Sequence, residues 1–138
     1  MNFIDSSVLI AAMVSSETFH SACKSLITNR QSAMYGHGLA ETFSTLTGGR
    51  KGFRLAITTA VEILVEDFAP CLHLTTLTPV EALRAMRDCQ LRGVQGGAIY
   101  DYLHLIAARK GKAKRFYTLN VTNFLAIHRT GDPEIVHP

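Results

Sequence analysis

The chain has 138 residues, 47% of them apolar and 18% charged, with a net charge of +3. That length suits one domain and buries roughly two-thirds of the unfolded surface, so a disordered chain is excluded. The charge is compatible with a polyanionic ligand without requiring one.

The chain opens MNFIDSSVLIA. MNFI reads as a strand that delivers Asp5 to its end, and Ser6 to Val14 as a short helix. Thr18 to Thr28 predicts a second helix, with Phe19, Ala22, Cys23, Leu26 and Ile27 on one face. Ser32 to Tyr35 reads as a strand and His37 to Thr47 as a helix, stopped by Gly48 and Gly49. Phe53 to Phe68 carries an apolar stripe of Ile57, Val61, Leu64 and Val65 and predicts a long helix closed by Pro70. Cys71 to Leu74 returns as a strand. Thr78 and Pro79 then open a helix running to about Leu91. After the loop RGVQGG, Ala98 to Lys110 predicts a helix, Arg115 to Leu119 a strand, Val121 to His128 a short helix and Glu134 to Val136 a last strand.

The apolar stretches fall far short of the roughly 20 residues a membrane span needs. The N-terminus lacks a basic region and an uninterrupted apolar core, so a signal peptide is not expected. Cys23, Cys71 and Cys89 are odd in number and without CxxC spacing, which reads as buried free thiols in a reducing cytoplasm.

Alternating strands and helices predict an α/β fold: a single α/β/α sandwich over residues 1–138 with a mostly parallel sheet. Strand C-termini then share one edge, where such sheets bind ligands. Asp5 ends the first strand. Glu41 lies in the first turns of the helix after the second, Asp101 in the first turn of the helix feeding the fourth, and Asn120 just past that strand. Gly96 and Gly97 allow a tight entry into the Asp101 helix. Carboxylates that converge repel one another unless a cation intervenes, and an all-oxygen set favours Mg²⁺ or Mn²⁺ over zinc.

FIDSSVLIA, AETFSTL, GGAIYDYLHLIAARKGKAKRFYTLN and the following TNF resemble a PIN-domain ribonuclease, in particular the toxin subunit of bacterial VapBC-type toxin–antitoxin pairs. The likeness runs from Asp5 to Phe124. It implies a sheet of about five strands, a Mg²⁺- or Mn²⁺-dependent endoribonuclease acting on RNA, and inhibition by a cognate antitoxin. By this resemblance Asp5 and Asp101 hold the metal and Glu41 supports it directly or through water. Ser6 and Thr118 match hydroxyl positions lining the site. The family often has a fourth acid where this chain has Asn120, which leaves one or two metals open. Hydrolysis by a metal-activated water would leave a 5′-phosphate and a 3′-hydroxyl.

Each residue also has a plainer reading. Asp5 can cap the following helix, Glu41 can be a solvated helix-face acid, Asp101 can complement a helix dipole and Asn120 can be a turn residue. His37, Tyr100 and His104 are candidates for RNA stacking or proton transfer; His37 can equally be a plain helix-start residue and His104 a satisfied, partly buried histidine. Among the basic residues, Arg92, near the glycine loop, ranks highest for phosphate contact. The run RKGKAKR, residues 109–115, reads as a solvated helix end. The wide stripes of Thr18–Thr28 and Phe53–Phe68 serve mainly as core, with the remainder available for a homodimer face or an antitoxin helix. The competing reading is a non-catalytic PIN-like module that binds RNA or protein. A haloacid-dehalogenase-type phosphatase needs an acid at position 7, which is Ser7.

Overall fold

The computed structural model describes residues 1–138. Five parallel strands, β1 (Asn2–Ile4), β2 (Ser32–Tyr35), β3 (Leu72–Thr75), β4 (Arg115–Tyr117) and β5 (Glu134–Val136), form one sheet in the order β3-β2-β1-β4-β5. The chain builds outward from β1 on one side, then returns to add β4 and β5 on the other. The strand order therefore reverses between β1 and β4, which opens a crevice at their C-terminal ends.

Successive side chains of the sheet go to opposite cores. Ile4 and Met34 pack on one face with α1 (Ser6–Met13) and α2 (His20–Thr28). Phe3, Ala33 and Phe116 pack on the other with α6 (Ala98–Lys110) and α7 (Val121–Ile127). Period-two alternation with both faces buried is the signature of a covered parallel sheet. The expected α/β/α sandwich with five parallel strands is thus observed.

Local signals set most boundaries. Helix α3 (His37–Gly48) ends at Gly49, whose φ of 76° is left-handed and suits glycine. Helix α5 (Pro79–Arg92) starts in a capping box, with Thr78 Oγ1 accepting from Glu81 N and Glu81 Oε2 accepting from Thr78 N. Gly96, at φ 57°, makes the tight turn before α6.

Two predicted helices are shorter than their apolar patterns. The second starts at His20, and Phe19 lies exposed before it; Cys23 and Ile27 alone are buried within it. The long helix begins only at Ile57, as α4 (Ile57–Val61), and continues as a π-helical stretch, Glu62–Phe68. Residues 53–56 instead fold back on the end of α3: Leu55 N donates to Leu46 O at 2.8 Å and the Arg54 guanidinium donates to Gly48 O at 3.2 Å. Of the stripe, Leu64 is buried while Ile57, Val61 and Val65 face solvent. Cys23, Cys71 and Cys89 are free thiols, but only Cys23 is fully buried, because the other two sit on half-covered faces. No helix is long and apolar enough to cross a membrane.

Candidate active site at the switch of strand order

Asp5 leaves β1 in extended conformation and caps α1, its Oδ1 accepting from Val8 N at 3.2 Å. Its carboxylate is almost wholly buried and held by two further donors: Ser7 Oγ at 2.6 Å on Oδ1 and Thr118 Oγ1 at 2.7 Å on Oδ2. Capping therefore coexists with a place in the crevice. Burial raises the Asp5 pKa, against the opposing pull of Ser7, His104, Thr118 and Val8.

Thr118 lies just beyond β4, so its bond to Asp5 crosses the switch point. The same hydroxyl accepts from Asn120 N at 2.9 Å, and Ser7 Oγ accepts from Leu119 N at 3.0 Å. The two hydroxyls thus tie the ends of β1 and β4 together. Thr118→Val keeps the shape and removes both partnerships. It is expected to cost about 2 kcal/mol in urea unfolding, with Thr118→Ser close to wild type. The Asn120 side chain makes no cap bond to α7 and the residue is exposed.

Glu41 enters from α3. Ser6 Oγ, the hydroxyl next to Asp5, donates to Glu41 Oε2 at 3.1 Å. His104, one turn beyond Asp101 on α6, meets Glu41 Oε1 through Nε2 at 3.0 Å. Facing a carboxylate, that nitrogen carries the proton. His37 Nε2 lies farther off, at 3.9 Å. Burial alone would raise the Glu41 pKa, but His104, Ser6 and His37 outweigh it and hold the carboxyl below its ordinary value. Gly38 makes this approach possible, since a Cβ there would collide with Met34 and crowd the His104 ring.

Asp101 is the strained member. Burial, then the charges of Asp5 and Glu41, raise its pKa from 3.8 to about 6, with His104 opposing, and no hydrogen bond relieves it. Asp5, Glu41 and Asp101, up to 96 positions apart in sequence, thus share one electrostatic environment. They do not form a ready-made cage: no three His, Cys, Asp or Glu side chains converge as metal ligands. The donor set fits a hard cation nonetheless. Mg²⁺ takes one or two carboxylates and keeps several waters, and its charge would relieve the repulsion at Asp101.

A cleft of ≈ 500 Å³ opens beside Glu41, lined by His37, Ala40, Glu41, Ser44, Thr45, Arg50 and Tyr100. The cation in it is Arg50, carried there by the turn after Gly49. Arg92 is a correction. Its guanidinium bonds Asp132 at 2.7 Å and Ile127 O at 3.1 Å and stands over the Tyr102 ring at 5.1 Å, so it is committed to fixing α5, α6 and the chain before β5. In the run 109–115, Arg109, Lys110 and Arg115 pair with Asp132, Glu81 and Glu134, in keeping with a structural role. Sequence reasoning missed the Glu41–His104 contact, since no short-range pattern links residues 63 positions apart, and ranked Arg92 above the basic run 48–54 that holds Arg50.

No family model matches the chain. Among solved structures, VapC20 of Mycobacterium tuberculosis, a sarcin–ricin loop cleaving toxin, superposes with a TM-score of 0.71 over 96% of this chain and all of that one, at 17% identity. VapBC2 from Rickettsia felis, bound to a DNA fragment from its promoter, gives 0.68 at 13% identity, covering 99% and 98% of the two chains. FitAcB from Neisseria gonorrhoeae gives 0.62 at 14% identity, covering 98% and 96%. These likenesses define the fold as a PIN-like α/β/α domain. In sequence, ribonuclease VapC27 of Mycobacterium tuberculosis is 36% identical over 111 residues, 80% of this chain and 79% of that protein. The chain belongs to the VapC family of PIN-domain ribonucleases.

Proposed function

We propose that this chain is an endoribonuclease, the toxin of a toxin–antitoxin pair, and that it hydrolyses RNA phosphodiester bonds with the help of Mg²⁺ or Mn²⁺. Family membership supports the ribonuclease, and one observation carries the metal. Asp101 is pushed to about 6 by burial and by the charges of Asp5 and Glu41, which His104 only partly offsets, and no hydrogen bond holds its carboxylate. A bound divalent cation would supply charge stabilisation at the phosphate and a more acidic water. Asp5 and Asp101 would hold it, and Glu41 would support it directly or through water. Ser7 and Thr118 fix the Asp5 carboxylate, while His104 and Ser6 fix Glu41, so neither acid must reorganise when substrate arrives. The Ser6 hydroxyl, whose proton is given to Glu41, can still accept from a water, and the amide of Asn120 would serve solvent or phosphate oxygens. The proposed unit is one PIN-like domain over residues 1–138.

The partner is a cognate antitoxin, a reading supported by solved neighbours that are VapBC and FitAB assemblies. Exposed apolar side chains on α4 and its continuation (Ile57, Val61, Val65) and on α5 (Val80, Leu83, Met86, Leu91) support both an antitoxin contact and a homodimer. The test of the chemistry is metal removal. Single-stranded RNA should be cut in Mg²⁺ or Mn²⁺, and cutting should stop when chelator is added and resume with excess metal. Cleavage indifferent to chelator would remove the metal from the mechanism. Binding of RNA with no cleavage in either metal would instead favour the non-catalytic module.

A further inference from the structure

A row of rings leads from the buried end of the site into solvent. Tyr35 meets His104 edge-on at 5.5 Å, His37 lies 5.9 Å from Tyr35, and Tyr100 stacks on His37 at 5.9 Å with 12° between the ring planes. Exposure rises along it: His104 is 1% exposed, the His37 side chain 47% and Tyr100 52%. The outer two rings line the cleft beside Glu41, and Arg50 lines it with them. Arg50 takes part in none of the ion pairs that occupy Arg92, Arg109, Lys110 and Arg115.

A large exposed aromatic side chain, backed by a second ring, beside an unpaired guanidinium has little to do for the fold. Single-stranded nucleic acid matches it: a base stacks on an aromatic face while a cation meets the phosphate. We propose that Tyr100, supported by His37, is the stacking platform for one unstacked base of the RNA next to the cleaved phosphate, and that Arg50 contacts a phosphate of the same stretch. The inference rests on the ribonuclease reading and adds a substrate-positioning subsite to it. Stacking is tolerant of base identity, so the platform selects an accessible single-stranded base rather than a sequence. His37 is a positioning residue here, holding the ring that touches substrate.

The test is a binding cycle in chelator, with Asp101→Asn as the uncleaving parent. The probes are fluorescein-labelled single-stranded RNA 12-mers, one intact and a series each carrying one abasic nucleotide, read by anisotropy. Tyr100→Ala should weaken binding of intact RNA by about 5- to 100-fold, and Tyr100→Phe should restore it to within about twofold. One abasic position should weaken the parent by a similar factor yet leave Tyr100→Ala unaffected. Arg50→Ala should flatten the slope of log affinity against log salt by about 0.7. Tyr100 is half exposed, so its variants should fold, and melting curves check this. If every abasic position weakens parent and Tyr100→Ala alike, or the parent does not bind the 12-mers, the platform is wrong. Cleavage by wild type is scored separately on the intact RNA. No cleavage with metal but a position-specific loss in the cycle removes the enzyme and keeps the platform. Cleavage without that loss does the reverse.

Discussion

Asp101→Asn is expected to lower RNA cleavage by about 10²–10³-fold while making the metal-free protein more stable at pH 7. The two effects have one cause. The Asp101 carboxyl titrates near 3.8 when unfolded and at about 6 when folded, because burial and the charges of Asp5 and Glu41 oppose its ionisation. The folded state thus binds the proton more tightly. Stability from this group is present below about pH 4 and is lost as pH rises to about 6, after which the loss is constant. Asparagine cannot ionise, so the variant should not show that decline. Asp101 is partly open to solvent, which screens the repulsion, so the gain at pH 7 should be on the order of 1 kcal/mol. Urea unfolding of both proteins in chelator at pH 4.5 and pH 7 reads it directly. Adding Mg²⁺ should then raise the wild-type melting temperature and leave the variant's unchanged, since the cation binds only the folded wild-type site. A variant less stable than wild type at pH 7, or equally stabilised by Mg²⁺, would take Asp101 out of the cation site.

Arg92→Ala should do the opposite: a loss of about 3 kcal/mol in stability with a cleavage rate close to wild type. Asp132 is 1% exposed and Arg92 13%, so the 2.7 Å pair is a buried one. Removing the guanidinium strands the carboxylate, leaving it Arg129 N at 2.8 Å and Arg109 at 3.6 Å. It also frees Ile127 O and uncovers the Tyr102 ring. Equilibrium urea unfolding gives the stability, and cleavage should be assayed well below the variant's melting temperature. Arg92→Ala combined with Asp132→Asn should recover part of the loss, because the unpaired charge is gone. A large fall in cleavage with unchanged stability would return Arg92 to the substrate.

The contrast between these arginines shows how far sequence reaches. Arg92 ends α5 just before Gly93 and Arg50 follows Gly49 at the end of α3, so each stands at a glycine turn. What separates them is a carboxylate 40 positions downstream of Arg92, which claims it, and a fold-back of residues 53–56, which leaves Arg50 in the cleft. Likewise the apolar stripe from Phe53 to Phe68 has helical period throughout. Its first four residues are nonetheless drawn to the end of α3 by a backbone bond to Leu46. A local pattern cannot register a partner that is distant in the chain.

The sequence by itself determined the alternation of strands and helices, and hence a parallel sheet with one ligand-binding edge. It also placed Asp5, Glu41 and Asp101 near the ends of elements that feed that edge. These follow from side-chain period, capping and glycine stops, all written within a few residues of where they act. Tertiary structure decided which polar groups hold those acids. Thr118 binds Asp5, and Ser6 and His104 bind Glu41, across separations of 35 to 113 residues. Only packing brings such groups within hydrogen-bonding distance, and only then do their charges shift one another.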